Sequence, residues 1–112
     1  MRTAVVRYQV KPDRLAEHEH LARRVYEELE ALAPPGFRYA TLRLDDGVSF
    51  VHLAETEDGV QAPLPQLATF RAFTADIADR CDVPPDNRQA EVIGSYRLLT
   101  ADARRVGSTA AS

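Results

Sequence analysis

Residues 37–56 read FRYATLRLDDGVSFVHLAET, two strand-like runs on either side of Asp46-Gly47. An Asp-Gly pair between such runs is a strong hairpin signal, because Gly, and to a lesser degree Asp, tolerates the positive φ of a tight turn. A two-residue loop fixes the register by counting outward. Asp45 then faces Val48, Leu44 faces Ser49, Arg43 faces Phe50, Leu42 faces Val51, Thr41 faces His52, Ala40 faces Leu53 and Tyr39 faces Ala54. Opposed residues share a face, and successive residues alternate between faces. One face is almost purely aliphatic, with Ala40, Leu42, Leu44, Val51 and Leu53, and is expected to carry helices. The other holds Tyr39, Thr41, Arg43, Phe50 and His52 and is expected to meet a ligand, a partner or both. A three-residue loop with a bulge would shift the pairing by one and set His52 opposite Ala40.

The rest of the chain supplies what such a hairpin packs against. Residues 3–10 alternate, with Ala4, Val6, Tyr8 and Val10 in one row and Thr3, Val5, Arg7 and Gln9 in the other, as in a half-buried strand. Lys11-Pro12-Asp13 ends it, with Asp13 as a candidate N-cap. Residues 14–32 are rich in good helix formers, and Leu15, Ala22, Val25, Leu29 and Leu32 make one apolar stripe. Pro34-Pro35-Gly36 stops that helix. Residues 57–65 read as a loop. Residues 66–81 read as a second helix, with Leu67, Phe70, Phe73, Ile77 and Cys81 at helical spacing. A further loop over 82–87 contains Pro84-Pro85, and 88–99 alternate again as a fourth strand.

The order strand, helix, strand, strand, helix, strand predicts a ferredoxin-like βαββαβ α+β sandwich, a four-stranded antiparallel sheet with two helices on one face. It forms one domain over 1–99, followed by a flexible tail over 100–112. The bare face is expected to carry Val5, Arg7, Tyr39, Thr41, Arg43, Phe50, His52, Ile93 and Ser95. Composition agrees with a single globular domain: 112 residues, 45% hydrophobic, net charge −3. That charge gives no reason to expect nucleic acid or an anionic membrane as partner. One cysteine, Cys81, excludes an intramolecular disulfide and fits a reducing, cytoplasmic setting. The start, MRTAVVRYQV, does not read as a signal peptide, and no stretch is long and apolar enough to span a bilayer.

The opening strand running into Lys-Pro-Asp and a long charged helix, and the DG hairpin with its GVSFVHLAET strand, resemble the antibiotic biosynthesis monooxygenase-type domains of the dimeric α+β barrel superfamily. The resemblance covers about residues 1–99 and rests on layout. It implies a homodimer whose two sheets pack face to face, with a small hydrophobic ligand between sheet and helices. Members include cofactor-independent oxygenases of aromatic polyketides and haem-degrading enzymes, as well as proteins without a known activity. Such oxygenases often use a Trp and an Asn. This chain has no Trp. Its only Asn, Asn87, falls in the Pro84-Pro85-Asp86-Asn87 loop.

No Cys/His/Asp cluster has zinc spacing, and no Gly-rich phosphate loop or nucleophile elbow is present. No metal, haem or other cofactor is therefore expected. His18 and His20 point about 200° apart around a helix, so they cannot share one metal. His18 lies near the apolar stripe and could face a cavity between helix and sheet, but it reads first as a partly exposed surface residue, and Cys81 as a small buried hydrophobe. The candidate site gathers His52 and Arg43 as catalytic residues, with Tyr39, Thr41, Phe50 and Arg7 as substrate-binding residues. A neutral His52 could take a proton from a phenol or carbon acid, with Arg43 stabilising the anion. The same polar groups could instead satisfy one another, or a partner subunit, across a dimer interface. Two functions stay open. One is a cofactor-independent monooxygenase acting on small aromatic or polyketide-type molecules. The other is a non-catalytic dimeric binding module. The dimer is expected through the bare face, whose Val5, Tyr39, Phe50 and Ile93 a monomer would expose.

Overall fold

A computed structural model describes residues 1–98; the expected tail over 100–112 lies outside them. Strand β1 (Arg2–Val10) runs through a 3-10 turn (Pro12–Arg14) into helix α1 (Leu15–Leu32). The hairpin follows as β2 (Phe37–Arg43) and β3 (Ser49–Thr56). A second 3-10 turn (Leu64–Gln66) leads to α2 (Ala68–Ala75), a short α3 (Ile77–Arg80) and β4 (Cys81–Ala90). The sheet order is β2-β3-β1-β4, with each neighbouring pair antiparallel. This is the ferredoxin-like arrangement that the order of elements predicts. Among the described residues no helix is long and apolar enough to cross a membrane.

The hairpin has the register expected of it. Tyr39 pairs with Ala54, Thr41 with His52 and Arg43 with Phe50. The turn itself is wider. Gly47 N–H donates to the Leu44 carbonyl at 3.0 Å, and Leu44 N–H donates to the Ser49 carbonyl at 2.9 Å. The Asp46 carboxylate accepts from the backbone N–H groups of Val48 and Ser49 at 3.0 and 2.8 Å. Only Gly47 takes a positive φ there, at 80°. Four residues therefore link Leu44 to Ser49. An even number of loop residues preserves the pairing of a two-residue loop, so the faces stay as counted.

Which face carries the helices is the reverse of the expectation. β1 pairs Tyr8 with Phe50, Val6 with His52 and Ala4 with Ala54. Tyr8, Phe50 and His52 are all buried. Tyr8 and Phe50 form one core cluster with Val10 and Cys81, against which Leu15 and Ile77 pack. Val25, Leu64, Leu67 and Phe73 form the other, under Leu29, Phe37, Tyr39 and Phe70. The mixed aromatic and polar face is thus the covered one. The aliphatic face, with Val5, Ala40, Leu42, Val51 and Leu53, points away from the helices, and Leu42 is 48% exposed.

Two further expectations are corrected. Asp13 does not cap α1; it lies in the 3-10 turn, and the N-cap residue Arg14 makes no side-chain capping bond. The fourth strand is Cys81–Ala90 rather than 88–99. The pairing slips between Arg7↔Asp86 and Gln9↔Val83, and the surplus residue falls at Pro84-Pro85. An edge strand with a bulge is where sheets accept proline, which has no N–H for a ladder. The alternating residues beyond Ala90 leave the sheet, and Ile93 is 94% exposed.

Candidate functional site

Five elements deliver side chains to one buried polar chain, β2 among them with Tyr39 and Thr41. Tyr8 comes from β1, His18 from α1, His52 from β3 and Arg80 from the end of α3. The Tyr8 hydroxyl lies 2.7 Å from His18 Nε2 and 2.6 Å from His52 Nε2. On the other side of the ring, His52 Nδ1 lies 2.5 Å from the Tyr39 hydroxyl and 3.4 Å from Thr41 Oγ1. Thr41 Oγ1 is in turn 2.7 Å from the Tyr26 hydroxyl of α1. At the opposite end Arg80 Nε donates to His18 Nδ1 at 3.2 Å.

Arg80 caps the break in the second helix. Helix α2 stops at Ala75, and Asp76 leaves the helical region at φ −126°. The Phe73 carbonyl is then left without the partner a continuous helix would provide. Arg80 Nη2 donates to it at 2.6 Å. The guanidinium also lies over the Phe73 ring, 5.4 Å from its centroid. A cation at a helix C-terminus is electrostatically favoured. These contacts hold a charge that is 0% exposed, with no ion-pair partner among the described residues.

Burial sets the protonation of the chain. His52 is pushed down to about 4 by desolvation, so its ring is neutral at neutral pH. His18 is also pushed down to about 4, by desolvation first and then by the Arg80 guanidinium and His52. The Tyr8 and Tyr39 hydroxyls are pushed up, chiefly by burial, and stay protonated. Aromatic rings pack the chain on its sides. Phe50 stacks on Tyr8 with centroids 5.6 Å apart, and Phe73 sits 5.0 Å from His18 and 5.8 Å from His52.

A cavity of about 280 Å³ opens against this chain between the sheet and α2. Tyr8, Tyr39 and His52 line it, with apolar walls that include Val6, Leu64 and Phe73. Asn87 of β4 lines it too. A second cavity, of about 320 Å³, adjoins it towards the end of the sheet that carries Phe37 and Thr56. Apolar walls with a few convergent polar groups are the usual character of a small-molecule site. Among the described residues no group of three His, Cys, Asp or Glu side chains could hold a metal ion.

Of the residues expected at a site, the structure brings together His52, Tyr39 and Thr41. Phe50 lies beneath them as packing against Tyr8 and does not line the cavity. Arg43 does not join them. It is exposed at the hairpin end and ion-pairs with Glu19 of α1. Arg7 is exposed on the opposite sheet face, since it pairs with Val51 rather than with a cavity residue. Sequence reasoning missed Tyr8, Tyr26 and Arg80 as members, and gave a cavity-facing His18 only second place to a surface residue. His18 is 0% exposed, not a surface residue. The signal that favours this is its place by the apolar stripe: it stands three residues after Leu15 and seven before Val25, on the side that faces the sheet.

No family model and no curated protein sequence matches the chain. Solved structures do match it. An antibiotic biosynthesis monooxygenase-type protein of Nitrosomonas europaea is 21% identical, with a TM-score of 0.70 over 84% of this chain and 100% of that one. Another from Caulobacter crescentus is 19% identical, with a TM-score of 0.62 over 83% and 90%. SnoaB from Streptomyces nogalater, described as a cofactor-independent oxygenase and solved as an asparagine-to-alanine mutant, is 20% identical with a TM-score of 0.63 over 87% and 97%. The chain has the fold of antibiotic biosynthesis monooxygenase-type domains. Within that fold the cavity lies between sheet and helices, and the buried tyrosine–histidine chain forms part of its wall.

Proposed function

We propose that the chain is a small-molecule-binding domain that acts as a cofactor-independent monooxygenase on a small aromatic or polyketide-type compound. The observation that carries this reading is the 280 Å³ apolar cavity with Tyr8, Tyr39 and His52 in its wall. Its apolar walls suit a planar ring system, and the hydroxyls suit that ring's oxygen substituents. Similarity to SnoaB favours oxygen chemistry without a bound cofactor. His52 would act through the tyrosines, because both its ring nitrogens lie within hydrogen-bond distance of a Tyr hydroxyl. That same occupancy favours the second reading, a binding module that performs no reaction.

We also read the protein as a cytoplasmic homodimer. Support for the dimer comes from the aliphatic face of Val5, Ala40, Leu42, Val51 and Leu53. A reduced, buried Cys81 fits the cytoplasm. Calorimetric titration with anthrone, followed by oxygen-uptake measurement on the same mixture, separates the two functions. Binding with oxygen consumption supports the oxygenase, and binding alone supports the module. Ala54→Phe, which fills the cavity from its sheet floor, should abolish binding. Undiminished anthrone binding in that variant would sink the cavity as the site.

A further inference from the structure

Hydrogen bonds have a direction, and in the chain Arg80–His18–Tyr8–His52–Tyr39 one end fixes it. A guanidinium has donors only. Arg80 Nε–H therefore gives its hydrogen to His18 Nδ1. With Nδ1 accepting, a neutral His18 carries its hydrogen on Nε2 and donates to the Tyr8 hydroxyl. Tyr8 then has its own hydrogen to place, and His52 Nε2 at 2.6 Å is the acceptor within reach. With Nε2 accepting, a neutral His52 carries its hydrogen on Nδ1 and donates to the Tyr39 oxygen. Tyr39 has received a hydrogen and still holds one to give. In the free protein the Thr41 hydroxyl is its hydrogen-bonding neighbour. Running the chain the other way would set an Nδ1–H of His18 against Arg80 Nε–H. Two donors would then face each other where neither residue is exposed, and a buried donor without an acceptor is costly.

We propose that Arg80 is a positioning residue that sets this direction, so that the cavity meets its ligand with the Tyr39 hydroxyl as donor and selects ring systems presenting a carbonyl acceptor. The Phe73 carbonyl anchors the guanidinium through Nη2, so the start of the chain is pinned to the end of α2. The ligand half of the proposal rests on the cavity reading given above. The direction of the hydrogen bonds does not.

Nitrogen-15 correlation spectra of the histidine rings in the ligand-free protein test the direction. The expected result is opposite tautomers in the two buried rings: His18 protonated on Nε2 and bare on Nδ1, His52 protonated on Nδ1 and bare on Nε2. Exposed His20 provides the reference for a freely exchanging ring. The same tautomer in both buried rings, or the reverse pair, overturns the proposal. Arg80→Met should release both rings to mixed tautomers, and Arg80→Lys, which keeps a cationic donor, should restore them. A folded Arg80→Met protein with wild-type tautomers removes Arg80 from the role. If that variant does not fold, the wild-type spectrum still decides the direction. For selectivity the probes are 1-tetralone, which only accepts, and tetralin, which does neither. The ketone should bind roughly fivefold tighter, the value of one net hydrogen bond, and Tyr39→Phe should reduce the ratio to about one. A ratio that Tyr39→Phe leaves unchanged overturns the donor assignment. If neither probe binds, the cavity reading falls, and the histidine spectra alone judge the direction.

Discussion

His18 and His52 tie the chemistry of the site to the stability of the fold. Both rings titrate near 4 in the native protein, against about 6.5 for a free histidine. The native state therefore binds fewer protons than the unfolded chain between those values, and stability rises with pH across the window. As pH falls from 7 to 5 the unfolded rings protonate and the native ones do not, which costs up to about 2 kcal/mol per ring. Glu17, Glu28, Asp46 and Asp58 have lowered pKa values, so their contribution is lost only below the usual carboxylate range. Guanidinium chloride unfolding at pH 7 and pH 5 should accordingly show a clearly lower midpoint at pH 5. Equal midpoints would mean that the rings titrate normally and are not desolvated. Sequence pattern alone could place Thr41 opposite His52, since alternation and a turn fix that. It could not place His18 or Arg80 beside them. His18 joins them through Tyr8, 10 positions before it, and Arg80 reaches His18 from 62 positions away, past a helix break that propensity does not announce.

At the scale of elements, two turns were legible and one strand was not. The Asp46-Gly47 turn and the Pro34-Pro35-Gly36 stop each contain a glycine that the backbone requires. β4 was obscured because prolines argue against a strand unless it lies at an edge, and edge position is a property of the whole sheet. The alternation over 91–98 then attracted the assignment that belonged to Cys81–Ala90. Gly36 has a φ of 72°, and a Cβ there would meet Val60 Cγ2 at 2.9 Å. Gly59 has a similar φ of 79°, but a Cβ there would meet nothing within 4 Å. Comparing the two separates backbone strain from collision. Gly59→Ala should cost about 1 kcal/mol, the conformational penalty alone. Gly36→Ala should cost roughly 1 kcal/mol more, because Val60 must move in a loop anchored by the Glu57 N–H to Gly36 carbonyl bond. Thermal melts of both variants measure the difference, and equal melting temperatures would show that Val60 yields freely.

For the whole molecule, the two faces of the hairpin were read correctly as sets but assigned the wrong way round, and the first strand was joined to them out of step: Val5 and Arg7, expected beside His52, lie on the aliphatic face, and Val6 and Tyr8 take their place. Aliphatic residues looked like the natural bed for helices. The aromatic and polar face carries them because the helices bring partners that its polar groups need: His18 and Tyr26 from α1, and Phe73 with Arg80 from beyond it. Val5, Ala40, Leu42, Val51 and Leu53 make no such demands. The same face carries Arg7 and, in its next row, Arg38 ion-paired to Glu55. Its aliphatic middle can be satisfied by a copy of itself about a two-fold axis, in which each residue meets its counterpart's surroundings. Light scattering at micromolar concentration should therefore give about twice the 12.5 kDa chain mass. Leu42→Glu should convert the protein to monomer. Leu42 is 48% exposed in the single chain, so the substitution leaves the core clusters untouched and the far-ultraviolet circular dichroism unchanged. The covered face predicts the contrasting result. Phe73→Ala, which empties a buried site beside His18 and His52, should cost roughly 3–5 kcal/mol of stability through the core. A wild-type protein that scatters as a monomer, or a Leu42→Glu variant that remains a dimer, would remove the aliphatic face from the interface.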